Sequence, residues 1–348
     1  MSQDQDLILP ATVEVVVLDL PPLTEEQVDV PGVYVGVSNT DPDEPFDGAE
    51  VELSTLTDDG TGSGDTVDTL EISQSFKSEA VVGSVVGTCG GGVTGRFWDT
   101  ATVLRVQLRR TTDDTSVFAN ETEEAVWAGK KNILAVGKEI IGFVTATPTG
   151  NLREWDLSKL SRGRRGTEQF IDSHSSAEQV VMLTGSSAIH FVPVSSDKVS
   201  PNVGAVDNLR ARAVGGGLPI TDATYTKTIP YEAKTLQQLP PTVLPAVRDA
   251  TGNATISWLA RSNRPFRLLS SVRDDRLTCC WCEEYEVEIL NGARDTILRR
   301  FTVLNRRDFV YTAARQVTDF GSTQATIQVN IYKRAQLVGR GRTDGGAV

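Results

Sequence analysis

Few residues in this chain have the types and spacing that catalysis needs. It holds two histidines in 348 residues, and one of them, His174, directly follows Asp172 and Ser173. Three sequence neighbours make poor relay geometry, because nucleophile, base and orienting acid must converge from different directions. No G-x-S-x-G elbow occurs, and no H-E-x-x-H or H-x-x-E-H metal helix. Glycosidase chemistry needs two carboxylates at a set separation. Acidic residues abound, but separation is not a property of sequence. The glycine-rich residues 80–95 do not form a phosphate loop, since no Lys-Ser or Lys-Thr follows the last glycine. Gly83, Gly87, Gly90, Gly91 and Gly92 read instead as turn and bulge positions. Cys279, Cys280 and Cys282 cluster while Cys89 stands far upstream. That is no zinc spacing, and adjacent strand cysteines face opposite ways. Residues 39–48, NTDPDEPFDG, carry four carboxylates of the hard-ligand type that calcium takes. They lack EF-hand spacing, and a solvated loop is expected. No catalytic, cofactor or metal-ligating residue is assigned.

The stretch that stands out is residues 155–168, WDLSKLSRGRRGTE. Trp155, Leu157 and Leu160 alternate with Asp156, Ser158 and Lys159. A basic turn follows, in which Arg162, Arg164 and Arg165 are interleaved with Gly163 and Gly166. Glycine there lets the backbone take positive φ at little cost. Three guanidinium groups so close repel each other unless carboxylates or carbonyls receive them, and Glu154 and Glu168 are the local candidates. The expectation is that the three arginines are structural anchors, not a phosphate or DNA site. His174, shortly after, is expected to be a structural hydrogen-bonder.

The elements around the turn read as strands. Residues 11–20 and 33–37 are strand-like, and Val51 and Leu53 alternate with Glu50, Glu52 and Ser54. DDGTGSGD, residues 58–65, reads as a flexible hairpin tip. Leu104, Val106 and Leu108 share one strand face. One helix is expected over residues 120–128, capped by Asn120 with Glu123 three residues on and ended by Gly129. A strand is expected from Lys131 through Phe143, leading into the basic turn, and others at residues 179–183, 189–194 and 208–214. Residues 232–245, rich in proline, read as a semi-rigid extended linker. They divide residues 1–238, with a further division near 75–145, from residues 239–348. In the second part Trp258, Tyr285, Val287, Ile289, Val329 and Ile331 fall at alternating positions, as a small β-sandwich core requires. Trp258 is expected to be buried across from Tyr285 and Val329. The closing GRGRTDGGAV is expected to be mobile.

Net charge is -12, which argues against a general nucleic-acid binder, since phosphate contacts need clustered Lys and Arg. No apolar run reaches the length of a spanning helix. MSQDQD lacks the charged-then-apolar pattern of a secretory signal, so synthesis in a cytoplasm is expected.

LSKLSRGRRGTE, preceded by KNILAVGKEIIGF (residues 131–143) and followed by His174, resembles a block in the large tail-tip protein of siphophages and gene transfer agents. Longer members of that family carry a TIM-barrel-like domain. Within residues 258–341, ISWLARSNR, YEVEILNG, YTAARQVTDFG and IQVNIYKRAQLVGRG are similar to that family's fibronectin-III-like module. LDLPPLTEEQVDVPGVYVGVS is similar more loosely. Nothing here resembles the family's TIM-barrel-like or upstream hub parts, so the expectation is the distal half of such a protein. The resemblance implies a mainly β chain, with β-sandwich-type domains followed by a C-terminal fibronectin-III-like sandwich. It implies a non-enzymatic structural component of a bacteriophage tail tip or baseplate, located in the virion at the distal end of the tail tube. There it would support host attachment and DNA delivery, without a cofactor. The implied partners are hub, distal tail and tail-fibre proteins, further copies in a homotrimer about the tail axis, and a bacterial surface receptor. The alternative is a module that binds glycan or protein on the host surface. It would need an aromatic-lined site, and aromatic content is 6%, which favours assembly.

Overall fold

Most of the alternating runs are strands in the computed structural model, which describes residues 13–28, 30–39, 46, 48–58, 66–90, 98–109, 117–171, 174–185, 187–194, 208–214, 226–261, 283–335 and 339–348. The chain is mainly β. Among the described residues only two α-helices occur, of five and eight residues. Cys279, Cys280, Cys282, Gly91, Gly92, Asp172, Ser173 and most of the acidic loop and glycine-rich hairpin tip lie outside the described residues. The chain divides into two units. The first holds the strands up to Pro230, and the second holds the strands from Lys234 to Val348, together with the short segment Thr24–Val30.

In the first unit β1 (Val13–Leu18) pairs antiparallel with β2 (Gly32–Asn39), every residue of which is buried. β3 (Ala49–Asp58) and β4 (Thr66–Phe76) form a hairpin. Six strands then close into an antiparallel barrel. They are β5 (Val82–Val85), β6 (Leu104–Leu108), β7 (Ile133–Val136), β8 (Glu139–Pro148), β9 (Glu154–Ser161) and β10 (Gln179–Met182), in the order β10-β5-β6-β9-β8-β7. β11 (Ile189–Pro193) returns to β2, and β12 (Asn208–Val214) and β13 (Thr226–Pro230) join β3. The barrel is thus an insertion between the strands of two open sheets. Closure of a sheet into a barrel was not read from the sequence, because alternation reports a buried face and not whether the sheet's edges meet.

The barrel interior is filled by Leu104, Val106 and Leu108 of β6, Leu134 and Val136 of β7, Ile141 and Phe143 of β8, Leu157 and Leu160 of β9, and Val180 and Met182 of β10. The outward residues Ile133, Ala135, Ile140 and Val181 pack with Val16 and Tyr34 of the three-stranded sheet and with Leu20 just beyond β1. Strands buried on both faces read as continuous apolar runs instead of alternating ones. That is why residues 131–143 read as one strand. They are two, β7 and β8, joined by a two-residue turn in which Gly137 takes φ 53°, the glycine-led geometry that hairpins favour. Within residues 80–95, read only as turns and bulges, β5 also forms. Gly83 lets it approach β6, since a Cβ there would lie 2.6 Å from the Gln107 carbonyl oxygen. The helix α1 (Glu123–Trp127) falls inside its expected span, but its cap is Thr122, whose Oγ1 accepts from the Ala125 amide at 3.2 Å. Asn120, the expected cap, accepts instead from the Ala146 amide at 2.9 Å.

In the second unit β14 (Thr242–Val243) and β15 (Val247–Arg248) pair in succession with one edge of β16 (Ala254–Leu259). Strands β17 (Glu284–Leu290), β18 (Ile297–Leu304) and β19 (Asp308–Tyr311) follow, and β19 pairs with the other edge of β16. After the helix α2 (Ala313–Phe320), β20 (Gln328–Ala335) and β21 (Gly339–Ala347) complete a second sheet, β18-β17-β20-β21. This pairing of first, second and fifth strands against fourth, third, sixth and seventh is that of a fibronectin-III-like sandwich. Trp258, Ile256 and Tyr311 face Tyr285, Val287, Ile289, Val329 and Ile331 across its core. The rings of Trp258 and Tyr285 lie 5.1 Å apart, and Trp258 is 2% exposed.

Three features of this unit depart from expectation. α2 is a second helix where one was expected, capped by Thr312 and ended by Gly321 at φ 78°. Its buried residue is Gln316, whose amide donates to the Gly252 and Tyr311 carbonyls at 3.0 Å each. A helix that turns a glutamine inward leaves no apolar stripe to detect. The C-terminal residues, expected to be mobile, form β21, and Val348 exchanges backbone hydrogen bonds with Ile327 at 2.8 and 2.9 Å. Glycine contributes no side chain to a core but keeps its ladder donors and acceptors. In the expected linker, Ala233, Thr235 and Leu236 are 5% exposed or less, so that stretch is packed and not solvated.

Candidate functional site

Chemistry-bearing side chains converge at one end of the barrel. Glu139 opens β8 in register with its inward row, two residues before Ile141 and four before Phe143. Arg162 continues the inward row of β9 beyond Leu160, and Glu178 precedes Val180 on β10 in the same way. The lumen is therefore apolar along its length and charged at this end.

Arg162 is 1% exposed and makes the fork contact of a bidentate pair: Nε and Nη2 donate to the two Glu139 carboxylate oxygens at 2.9 Å each. Nη2 also donates to the Ile171 carbonyl at 2.6 Å and Nη1 to the Gly90 carbonyl at 3.4 Å. Asp99, fully buried, stands 3.8 Å from Nη1 and caps the Ala101 and Thr102 amides. Glu139 receives two further donors, the Gly163 amide at 2.6 Å and His174 Nε2 at 2.5 Å. The other ring nitrogen of His174, Nδ1, lies 2.7 Å from Glu178. An imidazole with a carboxylate at each nitrogen needs a proton on both, so His174 is held as imidazolium.

The titration shifts agree with this geometry. Burial by itself would lower the His174 pKa, but its hydrogen bonds to Glu139 and Glu178 outweigh it and raise the value. Burial would raise Glu139, and the His174 and Arg162 contacts overcome it and hold the carboxyl low. Burial pushes the neighbouring Cys89 thiol up. Cys89 also forms an isolated β-bridge with His174.

The turn beside this cluster is locked by backbone geometry. Gly163 and Gly166 take φ 59° and 79°, and Arg165, without glycine's freedom, takes 58°. A Cβ on Gly163 would lie 2.7 Å from the Glu168 Cα. Thr167 Oγ1 accepts from the Ile140 amide at 3.0 Å and donates to the Arg164 carbonyl at 2.7 Å, tying the turn to β8. Arg164 donates to Ser161 Oγ at 3.1 Å and to the Trp127 carbonyl at 2.9 Å, and its guanidinium sits 5.9 Å from the Trp127 ring. Burial, with Arg165 adding repulsion, pushes its pKa down to about 10. Arg165 donates to the Leu23 carbonyl at 2.8 Å.

The residues singled out from the sequence thus separate into three environments. Arg162, Gly163 and His174 meet in the plug, and Arg164, Arg165 and Gly166 make the turn outside it. Trp258 belongs to the other unit's core. Glu168 lies against Gly163. The carboxylate that receives Arg162 is Glu139, and Glu154, a local candidate, instead accepts from Thr149 at 2.7 Å and Asn151 at 2.9 Å. Sequence nearness misled here because antiparallel strands bring residues 139 and 162 to the same barrel end. Glu139, Glu178 and Asp99 were not singled out. The available signal was a glutamate on the inward row of β8, in phase with Ile141 and Phe143. Among the described residues no group of three or more His, Cys, Asp or Glu is arranged to hold a metal ion.

A family model described as "Rcc01698-like, C-terminal" matches residues 80–181, less than a third of the chain. The matched span runs from just before β5 into β10, so it contains the barrel and its charged plug. No curated protein matches the chain. Solved structures similar to it include the FN1–FN3 domains of chicken CNTN1, at 10% identity and a TM-score of 0.22, covering 96% of each chain. Domains A168–A170 of titin match at 9% identity and a TM-score of 0.21, again covering 96% of each chain. Scores so low carry no argument about this protein, and its sandwich stands on its own strand order.

Proposed function

We propose that this chain is a non-enzymatic structural component of a bacteriophage-type tail tip or baseplate, assembling with other tail proteins around the distal end of the tail tube. The observation that carries the reading is the Arg162–Glu139–His174–Glu178 chain. The block whose sequence resembles the tail-tip family spans both sides of that chain, from the β7–β8 hairpin to the basic turn. Its charged residues are consumed in closing a barrel and pinning a turn, as suits a scaffold. With a carboxylate on each ring nitrogen, His174 has none left to relay a proton. The arginines of the turn donate to a carboxylate and to backbone carbonyls, which favours anchoring over contact with passing DNA.

The test is imaging of intact particles from a host that makes this protein, with a small tag placed after Val348. Tag density at the tail tip, together with tailless or blunt particles when the gene is deleted, is the expected result. Normal, infective tails without the protein would overturn the proposal.

A further inference from the structure

The hairpin between β17 and β18 carries the one Asn-Gly step in the sequence, Asn291-Gly292. Such a step is self-reactive. The backbone nitrogen of the second residue can attack the asparagine Cγ and close a five-membered ring, and glycine has no side chain to hinder the approach. In this hairpin the asparagine side chain is engaged elsewhere. Its Oδ1 accepts from the Asp295 and Thr296 amides at 3.1 and 3.3 Å, and its Nδ2 donates to Asp295 Oδ1 at 2.6 Å. Two donors on one side and a carboxylate on the other fix which way the amide points. The Asn291 backbone is held as well, since its amide donates to the Thr296 carbonyl and its carbonyl accepts from the Arg294 amide, at 3.0 Å each. Gly292 is exposed, and beyond its chain neighbours nothing lies within 4 Å of where a Cβ would sit. Its surroundings therefore leave the glycine open, while the asparagine is clasped.

We propose that Asn291 is a self-modifying site, and that its clasp by Asp295 and Thr296 withholds the reaction until the hairpin tip opens. Once the side chain is free, the Gly292 nitrogen gives up its proton to solvent and attacks Asn291 Cγ. The new C–N bond closes a succinimide, the Cγ–Nδ2 bond breaks, and Nδ2 takes up a proton and leaves as ammonia. Water then opens the ring at either carbonyl, giving aspartate or isoaspartate at position 291. The balance needs only water and a base. The product suits the clasp badly. Where Nδ2 donated to Asp295, a second carboxylate now stands, and two carboxylates so close cannot both ionise. Asp295 is the ionised partner, since the Asn291 hydrogen bond holds its carboxyl below the usual range. Isoaspartate also adds a backbone carbon at the end of the β17–β18 ladder, next to its irregularity at Ile289 and Leu290. β18 is an edge strand, paired with β17 alone in its sheet, so the tip can open without the core unfolding. The site is thus a one-way record of opening at this edge of the sandwich. It stands whether or not the chain belongs to a tail tip.

Peptide mapping by mass spectrometry tests it, on full-length protein aged at mildly alkaline pH with and without denaturant. Conversion at Asn291 should be about tenfold or more slower in the folded protein than in denaturant. Asp295→Ala removes the acceptor of Nδ2 and should speed conversion of the folded protein by about threefold or more. Gly292→Ala should slow conversion in denaturant. Folded protein that converts as fast as denatured protein overturns the clasp, and so does an Asp295→Ala rate equal to wild type. Absence of conversion even in denaturant overturns the site itself. The comparison with denaturant uses the unaltered chain, so it decides the matter even if a variant fails to fold. The one-way record has its own readout. Asn291→Asp should speed hydrogen exchange of the Asp295 and Thr296 amides while β16 and β20 stay as in wild type. Unchanged exchange at those amides would show that the product re-forms the clasp, and would overturn it.

Discussion

At the scale of single residues, the barrel end places two cations, Arg162 and His174, and two carboxylates, Glu139 and Asp99, out of water, where each would be costly alone, while Glu178 stays partly exposed. A buried ion pair adds little net stability compared with apolar residues, but removing one partner strands the other. Glu139 serves Arg162, His174 and the Gly163 amide together, so Glu139→Gln leaves two buried cations without their common anion. It should lower stability by about 3–5 kcal/mol, measured by urea unfolding. The pH dependence follows from the direction of the shifts. His174 holds its proton more tightly folded than unfolded, where it titrates near 6.5. Its contribution is complete below pH 6.5 and is lost as pH rises through the elevated folded value. Glu139 is held below its ordinary 4.5, so its contribution is present above that pH and lost as pH falls through the depressed value. The stability gap between wild type and His174→Gln should therefore be widest between these limits and close on the alkaline side. A gap that widened as pH rose would contradict the imidazolium assignment.

At the scale of elements, β7 and the first half of β8 do two jobs, because both of their faces are packed. β7 and β8 need a turn with no side chain at its first position. Gly137 has positive φ, and a Cβ there would strike the Glu178 carboxylate, itself fixed on His174. Gly137→Ala should cost about 1–3 kcal/mol and should loosen the His174–Glu178 contact. Nuclear magnetic resonance of the His174 ring checks this, with a fall in its pKa as the expected outcome. An unchanged pKa would mean that Glu178 is free to step aside. The basic turn shows the same economy, since Thr167 uses one hydroxyl to join β8 and the Arg164 carbonyl.

At the scale of the whole molecule, each of the two units has a core of its own, which predicts two separable unfolding events. Trp258→Ala empties the middle of the sandwich and should cost about 3–5 kcal/mol. Hydrogen exchange on the full chain should show β16, β17 and β20 opening faster while β7, β8 and β9 stay as in wild type. Equal acceleration in both units would show that they unfold as one. The same division explains why a residue reading can place Trp258 correctly and still say nothing about the barrel.

Strand content, the sandwich core and the glycine-containing turn of residues 162–166 were legible in the sequence. Each rests on local information: two-residue alternation, an aromatic at a core position, and glycines spaced among arginines. The inward row of β6 was likewise readable, since one buried face imprints itself on alternate residues. What the tertiary structure alone decided is which distant residues meet. Closure of the barrel brings Glu139 to Arg162 and His174 across separations of 23 and 35 residues, and no local pattern encodes those distances. The helix α2 and the strand β21 were hidden for a related reason. The first buries a glutamine satisfied by carbonyls from elsewhere, and the second is held by its backbone, so neither leaves an apolar signature. Local periodicity reports only that a face is buried; the partner across it depends on how the chain returns.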